Sequence, residues 1–549
     1  MKLFTHLRFR RPHGHKTKPR RAARTPPRYR LYLERLEDRT APAVSVLHSF
    51  AGMSFSDTTS GGEPPDTILA AGPNHVVELV NTAIRVYDKN GGVLSTQELS
   101  SFFNPLGAVG QMSDPQTSYD ELTNRFVVGV LDFQLPGIGP SQFDFAVSNT
   151  SDPTAGWAFR RYDMNDLVEG IADFADFPRM GWNADAYVIS FNMFLNAATY
   201  DHVDTLSIDK TSLAGHRQIV PGGLTNFTMA PATMHGASPG GPMWLVEGAG
   251  ADPAGDALPG TTIRAVRMDN VHGEASFTSY AVAVTPYLNP FPALQPGSLF
   301  NTNDSRILNA AWRGNRLVAS QTVAGLFAAH GRWHDLTTDV APALTQSGEI
   351  NLGLLVSSYY PSIEVNGAGD LGMTYMQSSF RQYVSMYVTG QKQGAAPGTM
   401  QPGVLVHAGV GTYLGTRGGD FSGISVDPVN DTFWAANEYS RSSLDLWGPW
   451  VANFALISTR SPLHAAGLPT PQEHDAAGTN MAPGNGALNG FGKNEDAGLI
   501  ELLPVGQGAD GERGTVGARL PHSEPDLFFS IPSPGPFELH PAEWFLFSQ

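Results

Sequence analysis

Aspartates recur at the starts of similar segments of this chain, and carboxylates repeated in this way can bind a cation or a basic group of a ligand. The clearest copies begin at Asp66 (DTILAAGPNHVVELVN), Asp114 (DPQTSYDELTNRFVVGVLDF), Asp176 (DFPRMGWNADAYVISFNMF), Tyr360 (YPSIEVNGAGDLGMTYMQ) and Asp420 (DFSGISVDPVNDTFWAANE). Two weaker copies lie around 230–248 and from Asp304 onward. If equivalent positions converge, the aspartates form a ring of mutually repelling carboxylates that requires a compensating charge.

Two kinds of compensation are compatible with this spacing. Hard oxygen ligands suit calcium, so we predict a calcium site at Asp114, Asp176 and Asp420. Alternatively, Arg179 and Arg306, which closely follow an aspartate, supply the positive charge. The predicted ligand-binding set is therefore Asp66, Asp114, Asp176, Arg179, Asp304, Arg306 and Asp420. A third interpretation also stays open, in which each aspartate only caps its own turn by accepting backbone N–H bonds.

Each copy is typical of a β-hairpin, with a strand, an Asn/Asp/Gly turn and a second strand rich in β-branched and aromatic residues. Units that cannot bury their faces alone must stack, so seven copies predict an all-β fold, a β-propeller of seven blades. Six or eight blades are also compatible with the faint middle copies. We expect the segment after Val44 to close the ring by pairing with residues 450–457.

The division of the chain follows its composition. We predict a disordered basic arm at 1–43, the propeller at 44–460, and a flexible tail rich in Pro, Gly and Ala at 461–549. Residues 1–39 carry 13 Lys/Arg and 3 Asp/Glu, a net charge of +10, and because the whole chain carries −16, the remainder carries −26. An acidic body and an arm without a stacking platform argue against nucleic acid as a partner. We expect no membrane span and a monomer.

The 549 residues contain no Cys, which permits export to an oxidising compartment without requiring it. The arm ends in Leu33-Glu-Arg-Leu-Glu-Asp-Arg-Thr-Ala-Pro-Ala43. This segment resembles the N-terminal LEPLEDR (LEPR-x-LL) motif of large surface and secreted proteins of planctomycete bacteria, with Arg35 where Pro is common. The resemblance implies a secreted or cell-surface protein and implies nothing about activity.

The body resembles a group of secreted bacterial β-propeller proteins related in architecture to sialidases and without an assigned activity. The resemblance spans roughly 60–458 and rests on the segments 148–157 (SNTSDPTAGW), 176–181 (DFPRMG) and 419–428 (GDFSGISVDP). Sialidases repeat a Ser-x-Asp-x-Gly-x-x-Trp box and hold an arginine triad against the substrate carboxylate. The nearest segment here, 151–157, departs from that box, which puts sialidase chemistry in doubt.

Other motifs are weaker signals. His330 and His334 have a metal-ligand spacing, but Gly331 and the lack of a following Glu favour a loop pair. Trp182 and Trp333 stand beside turns or histidines, where they could stack on sugar rings. Together, the channel carboxylates, arginines and aromatic rings predict recognition of an extracellular glycan or surface polymer. The alternatives are a glycoside hydrolase or polysaccharide lyase that uses two channel carboxylates, and a passive surface protein; an enzyme is the less favoured interpretation.

Overall fold

The computed structural model describes residues 41–459 except 60–61, 108–109, 135–139, 166–172, 196, 198, 249–258, 416 and 442–446. The tail predicted at 461–549, nearly all of the arm at 1–43 and most of its LEPLEDR-like motif lie outside the described residues, so these remain predictions. Strands are numbered along the chain. Helical structure is limited to one short helix, α1 (Leu99–Phe102), and three 3-10 turns at Phe55–Asp57, Asn104–Leu106 and Gly223–Thr225. None of the helices in the described part of the chain has the length and apolar character needed to cross a membrane.

The described strands form seven groups of four, each antiparallel within itself, plus one small hairpin. Parallel pairing of Trp182 with Thr233 and of residues 232–235 with 310–313 joins three of these groups into one sheet. The innermost strands are β2 (Ile68–Ala71), β6 (Gln111–Asp120), β10 (Asp173–Trp182), β14 (Met229–His235), β20 (Ile307–Arg313), β24 (Val356–Val365) and β28 (Gly423–Val426). The second strands are β3 (His75–Val80), β7 (Arg125–Phe133), β11 (Ala186–Leu195), β15 (Met243–Gly248), β21 (Arg316–Ala324), β25 (Leu371–Ser379) and β29 (Phe433–Ser440). Each innermost strand contacts the next, and β28 contacts β2, so the strands enclose a central channel.

The outer strands complete each group. The third strands are β4 (Ala83–Asp88), β8 (Ser141–Ser148), β12 (Thr199–Asp209), β16 (Gly260–Asp269), β22 (Ala329–Thr337), β26 (Gln382–Gln391) and β30 (Trp447–Thr459). The outermost are β5 (Val93–Glu98), β9 (Trp157–Asp163), β13 (Gly215–Ile219), β17 (Ser276–Tyr287), β23 (Ala343–Glu349), β27 (Val404–His407) and β1 (Ala41–Ala51). Along the chain, an extra hairpin of β18 (Ala293–Gln295) and β19 (Ser298–Phe300) comes between the fourth and fifth groups. The predicted all-β propeller fold is confirmed.

The predicted closure is also confirmed, because β1 pairs antiparallel with β30 and Val46 faces Phe454. Pairing an N-terminal strand with the last group removes the free edges that a row of hairpins would leave exposed. Phe454 is fully buried in this closing group, where its ring stacks on Phe433 at 5.3 Å between centroids.

We expect Phe454→Ala to lower the free energy of unfolding by about 3–5 kcal/mol, because the change leaves a cavity that the rigid strand pair cannot refill. Leu47→Ala is the matched control, since Leu47 lies on β1 with its side chain exposed. The control should change the free energy of unfolding by less than about 0.5 kcal/mol. Urea unfolding of the two variants measures both values, and equal costs would contradict a closing role for the β1–β30 pair.

Candidate functional site

Each innermost strand has, just before it or in its first half, a residue whose backbone is left-handed, a conformation that L-residues rarely adopt. The positive φ angles are 51° at Asp66, 57° at Asp114, 52° at Phe177, 53° at Thr228, 57° at Asn303, 48° at Tyr360 and 114° at Gly419. All seven lie at the same end of the channel, which we call the mouth, because each innermost strand starts there. The repeated acidic starts in the sequence thus mark a repeated backbone feature.

In three groups, this left-handed residue sits in a β-bulge and is followed by proline. The register shifts occur in β6 at Asp114, in β10 at Phe177 and in β24 at Tyr360. A bulge removes one residue from the hydrogen-bond ladder, so the missing N–H of proline costs little there. For bulky residues such as Phe177 and Tyr360, the left-handed backbone costs on the order of 1–3 kcal/mol each, and strain of this kind clusters at functional sites.

Side chains from the preceding blade hold the left-handed residues in place. The Asn81 Oδ1 accepts the backbone N–H of Asp114 at 2.7 Å, and its Nδ2 donates to the Asp66 carboxylate at 2.6 Å. Asn192 accepts the N–H of Thr228 at 2.8 Å in the same manner. The bonds to Asp114 and Thr228 cross from one blade to the next, whereas the bond to Asp66 stays within the first blade. Packing between neighbouring blades therefore contributes to the mouth geometry.

Ionisable side chains from several blades lie close together at the mouth, and we call this set the mouth cluster. Its members are Asp66, Asp114, Asp176, Arg179, Arg306, Tyr360, Arg417, Asp420 and Glu438. The Asp66 Oδ1 accepts the backbone N–H of Asp420 at 2.8 Å, which joins the first and last blades. Arg417 forms an ion pair with Asp420, and Asn303 donates to the same carboxylate at 2.9 Å.

Burial and mutual repulsion raise the pKa values of several carboxyl groups in the cluster and so favour their protonated forms. The pKa of Asp66 lies well above its usual range because of burial first, and then because of nearby Asp420 and Asp114. Burial and the adjacent Asp176 raise the pKa of Asp114 to about 7. Burial also raises the pKa of Asp176, although two arginines of the cluster oppose the shift. At neutral pH the four aspartates therefore carry fewer than four negative charges.

Each arginine of the cluster lies against an aromatic ring or a carboxylate. The Arg306 guanidinium donates to Asp304 at 2.8 and 2.6 Å and packs over the rings of Phe177 and Phe227, at 4.3 and 5.0 Å from their centroids. Arg179 packs over the Phe421 ring at 4.7 Å. Such stacking orients planar guanidinium groups while leaving their edges available for hydrogen bonds.

Arg179 is the cluster residue with an unused donor. Its side chain is buried, and within the described residues its Nη1 makes no hydrogen bond. Burial lowers the pKa of Arg179 to about 10, so the group remains charged at neutral pH. Arg179 also borders a channel cavity of about 50 Å³, large enough for a water molecule or a single small group. A ligand oxygen at this place would satisfy the unused N–H.

Tyr360 and Glu438 form the uncharged side of the cluster. Both are buried, and burial raises the pKa of each well above its usual range. The Oε1 of Glu438 makes no hydrogen bond to any described residue. A Cβ at Gly419 would lie only 2.4 Å from that oxygen, so this left-handed position requires glycine. Burial, Asp66 and Asp420 therefore favour the protonated form of Glu438.

At the other end of the cavity, His235 lies between two glutamates. Its ring nitrogens are 3.1 Å from Glu364 Oε1 and 3.2 Å from Glu121 Oε2. Burial alone would lower the pKa of His235, but the two carboxylates raise it to about 9. His235 and Glu364 line the same cavity as Arg179.

The structure brings together six of the seven residues that the sequence suggested as ligand-binding: Asp66, Asp114, Asp176, Arg179, Arg306 and Asp420. Asp304 instead turns into its own loop, where it accepts the Arg306 backbone N–H at 2.9 Å as well as the guanidinium bonds. This contact corresponds to the turn-capping interpretation for that one aspartate. A role for any of them in binding a ligand stays a prediction.

Sequence reasoning missed Arg417, Glu438 and Asn81. Arg417 precedes Asp420 by three residues, and this spacing was the one available signal for it. Glu438 and Asn81 lie in or just after second strands, and nothing in the local sequence indicates that these positions face the mouth.

The predictions for the histidine pair and for the two tryptophans were wrong. His330 and His334 lie in strand β22 rather than in a loop; His330 pairs with Glu349 at 2.9 Å, and His334 is fully buried. Trp182 and Trp333 are buried within the blades, so neither ring can stack on a sugar. Both errors have one cause, because these residues lie in long strands that neighbouring strands cover.

The calcium prediction has no support from a preformed ligand set. Across the described part of the chain, no group of three or more His, Asp or Glu side chains has a metal-binding arrangement. Asp420 and Asp66 already bond to Arg417 and Asn81.

Comparison with known proteins adds little beyond the architecture. No protein-family model matches the chain, and no curated protein matches it. Similar solved structures include a Dyadobacter fermentans protein of unknown function, with 8% identity over 75% of this chain and 99% of that one and a TM-score of 0.39. The phage phi92 endosialidase is 6% identical, the match covers 80% of this chain and 72% of that one, and the TM-score is 0.39. Trypanosoma rangeli sialidase has 9% identity over 71% of this chain and only 58% of its own, with a TM-score of 0.31.

Proposed function

We propose that this chain is an extracellular or cell-surface binding protein that recognises an acidic glycan at the mouth of its channel. The observation that carries the proposal is the buried side chain of Arg179, which lines the channel cavity and whose Nη1 has no acceptor among the described residues. An unsatisfied buried donor on a charged group is costly, and a ligand oxygen would remove that cost. The extracellular location rests on the motif at 33–43 and is part of the proposal.

An acidic sugar suits the chemistry of the cluster better than a neutral one. Three arginines, Arg179, Arg306 and Arg417, lie at the mouth, and guanidinium groups pair with carboxylates through parallel hydrogen bonds. Protonated carboxyl groups such as Asp66 remove negative charge that would repel such a ligand. Arg417 has a side chain that is 31% exposed, so the ligand can reach it from solvent.

A glycoside hydrolase is the second candidate, and one observation favours it. The pKa of Asp114, raised to about 7 by burial and Asp176, is that of a general acid poised to act near neutral pH. A glycosidase needs such an acid together with a second carboxylate. Asp176 is the nearest candidate for that second role, since it is the charge that most affects Asp114.

We expect Arg179→Gln to weaken binding of sialosides or uronic-acid polysaccharides by about 10- to 100-fold, the cost of losing a charge-assisted hydrogen bond. Arg417→Gln, at a more exposed position, should have an effect in the same direction. Arg160→Gln is the matched control, because Arg160 is exposed on the outermost strand β9 and should leave binding unchanged. Titration calorimetry on the full chain measures the three affinities.

The same samples separate the remaining alternatives. Release of a shortened sugar would indicate the hydrolase. In that case Asp114→Asn is the first variant to test, and it should abolish the release of product. Loss of binding in a chelator would support calcium at Asp114, Asp176 and Asp420. Absence of both binding and product across acidic and neutral glycans would overturn the proposal in favour of a passive surface protein.

A further inference from the structure

In the described part of the chain, one hairpin lies outside the seven four-stranded groups. Its strands, β18 and β19, belong to the connection between the fourth and fifth groups, and β18 packs against β24, β25 and β26 of the sixth group. Strands alternate in direction within each group, so a connection from a fourth strand to the next innermost strand lies at the mouth. The connection from β27 to β28 lies there too, and we call its described residues, 408–415 and 417–422, the strap.

Gln295 of β18 joins the hairpin to the strap. Its Oε1 accepts the backbone N–H of Tyr413 at 2.9 Å, and its Nε2 donates to the Tyr413 carbonyl oxygen at 2.9 Å. The Thr412 hydroxyl donates to the Pro296 carbonyl oxygen at 2.7 Å. Because Gln295 and Tyr413 are buried, loss of these bonds would leave backbone groups unpaired, which is costly.

Tyr413 connects this joint to Arg417. The Tyr413 hydroxyl donates to the Arg417 carbonyl oxygen, and Glu63 Oε1 accepts the Arg417 backbone N–H at 3.1 Å. Phe300 of β19 packs against the Tyr413 ring, with 5.4 Å between the centroids. A Cβ at Gly418 would overlap the Phe300 ring, so the hairpin also contacts the residue that follows Arg417. The hairpin therefore supports the strap backbone on both sides of Arg417.

Arg417 is the positive charge that the strap brings to the mouth cluster. It pairs with Asp420, and its charge opposes the rise that burial produces in the pKa of Asp66, Asp114 and Asp176. If the strap moved away, these carboxyl groups would lose a compensating charge, and the mouth would repel an acidic ligand more strongly. The position of the strap therefore affects how well the mouth accepts an anion.

We propose that Gln295 is a positioning residue, which acts through Tyr413 to hold Arg417 over the mouth cluster, where Arg417 binds a carboxylate of the ligand. Gln295 bonds to the strap backbone, so its effect on binding passes through the strap. Gln295 and Tyr413 are 118 residues apart in the sequence, and only the packing of the hairpin against the sixth group brings them together. The proposal rests on the proposed function, because it concerns the affinity of the mouth for an acidic glycan.

A double-variant cycle on the full chain tests whether Gln295 and Arg417 act together. Gln295→Leu removes both bonds to Tyr413, and we expect the affinity for a uronic-acid oligosaccharide, measured by titration calorimetry, to fall about 10-fold. Gln295→Leu combined with Arg417→Gln should bind no more weakly than Arg417→Gln alone, because either change removes the same contact with the ligand.

Two further variants complete the cycle. Gln391→Leu is the matched control, since Gln391 is buried and bonds to the backbone of residues 396 and 399 at the end opposite the mouth. This control should bind like the wild type. Thr412→Val removes the bond to Pro296 at a less buried position, so the affinity should fall in this variant as well, even if Gln295→Leu does not fold.

Hydrogen exchange, resolved to single amides by mass spectrometry, tests the positioning without any glycan. The amide of Arg417 bonds to Glu63, so its protection reports on the strap beyond the bonds that Gln295→Leu removes. In Gln295→Leu we expect the Arg417 amide to exchange about tenfold faster than in the wild type. In Gln391→Leu it should exchange at the wild-type rate.

Additive losses of affinity in the cycle, or an unchanged exchange rate of the Arg417 amide in Gln295→Leu, would overturn the proposal. Failure of the proposed function gives a different result. In that case the wild type binds neither acidic nor neutral glycans, yet the Arg417 amide still loses protection in Gln295→Leu. Such a result would support the hold of Gln295 on Arg417 and reject the glycan as the ligand.

Discussion

Replacing Arg306 with methionine is expected to lower the free energy of unfolding by about 3–5 kcal/mol, because it removes the buried positive charge that the partly buried Asp304 binds and that Asp176 and Asp420 stabilise. Arg306 is buried between two aromatic rings and donates two parallel hydrogen bonds, from Nε and Nη2 on one edge of its guanidinium, to Asp304. Burial alone would lower the pKa of Arg306, but Asp304, Asp420 and Asp176 raise it, so the charge is strongly held. Urea unfolding at neutral pH measures the loss.

A matched pair elsewhere in the chain isolates the effect of burial. Arg267 binds Asp269 at the same sequence separation through three hydrogen bonds, but both side chains are more than a third exposed. Arg267→Met should cost less than about 1 kcal/mol. Adding Asp304→Asn to Arg306→Met should recover part of the stability. A cost for Arg306→Met no larger than that for Arg267→Met would show that the mouth cluster is not the strained, desolvated site described above.

The second large effect is on pH dependence, and it comes from Asp114. Its pKa is raised from 3.8 to about 7 by burial first and by Asp176 next. A carboxyl with a raised folded-state pKa contributes stability that is complete below its unfolded pKa and is lost as the pH rises through the folded pKa. Between about pH 5 and about pH 8, the wild-type chain should therefore lose about 3 kcal/mol relative to Asp114→Asn.

Asparagine suits this position because it tolerates a φ of 57° and its Oδ1 can still accept the bond from Ser113. The measurement is urea unfolding of both proteins across the pH range, with Asp339→Asn at an exposed position as the control. Parallel pH profiles for the wild type and Asp114→Asn would contradict a raised pKa at Asp114. If the glycan proposal is correct, the affinity of the wild type for an acidic glycan should also fall as Asp114 ionises, and the affinity of Asp114→Asn should fall less.

The repeat of acidic starts was sufficient to predict the propeller and its closing strand. This success has a physical basis, since period-2 alternation, turn residues and repeat spacing are local properties of the chain. The predictions for His330 and Trp182 failed because burial depends on which neighbouring blade covers a strand, and no short segment encodes that information.

By itself, the sequence determined the blade-building hairpins, the aspartates at their starts and the pairing of β1 with β30. Only the tertiary structure decided which charges meet. Asp304 and Arg306 satisfy each other locally, whereas Asp66 meets Asp420 across 354 residues because the ring closes between the first and last blades. Ring closure also buries Glu438 beside the aspartates and leaves one nitrogen of Arg179 without an acceptor among the described residues. Ionisation and hydrogen bonding depend on this shared, desolvated environment, which exists only after all the blades have packed around the channel.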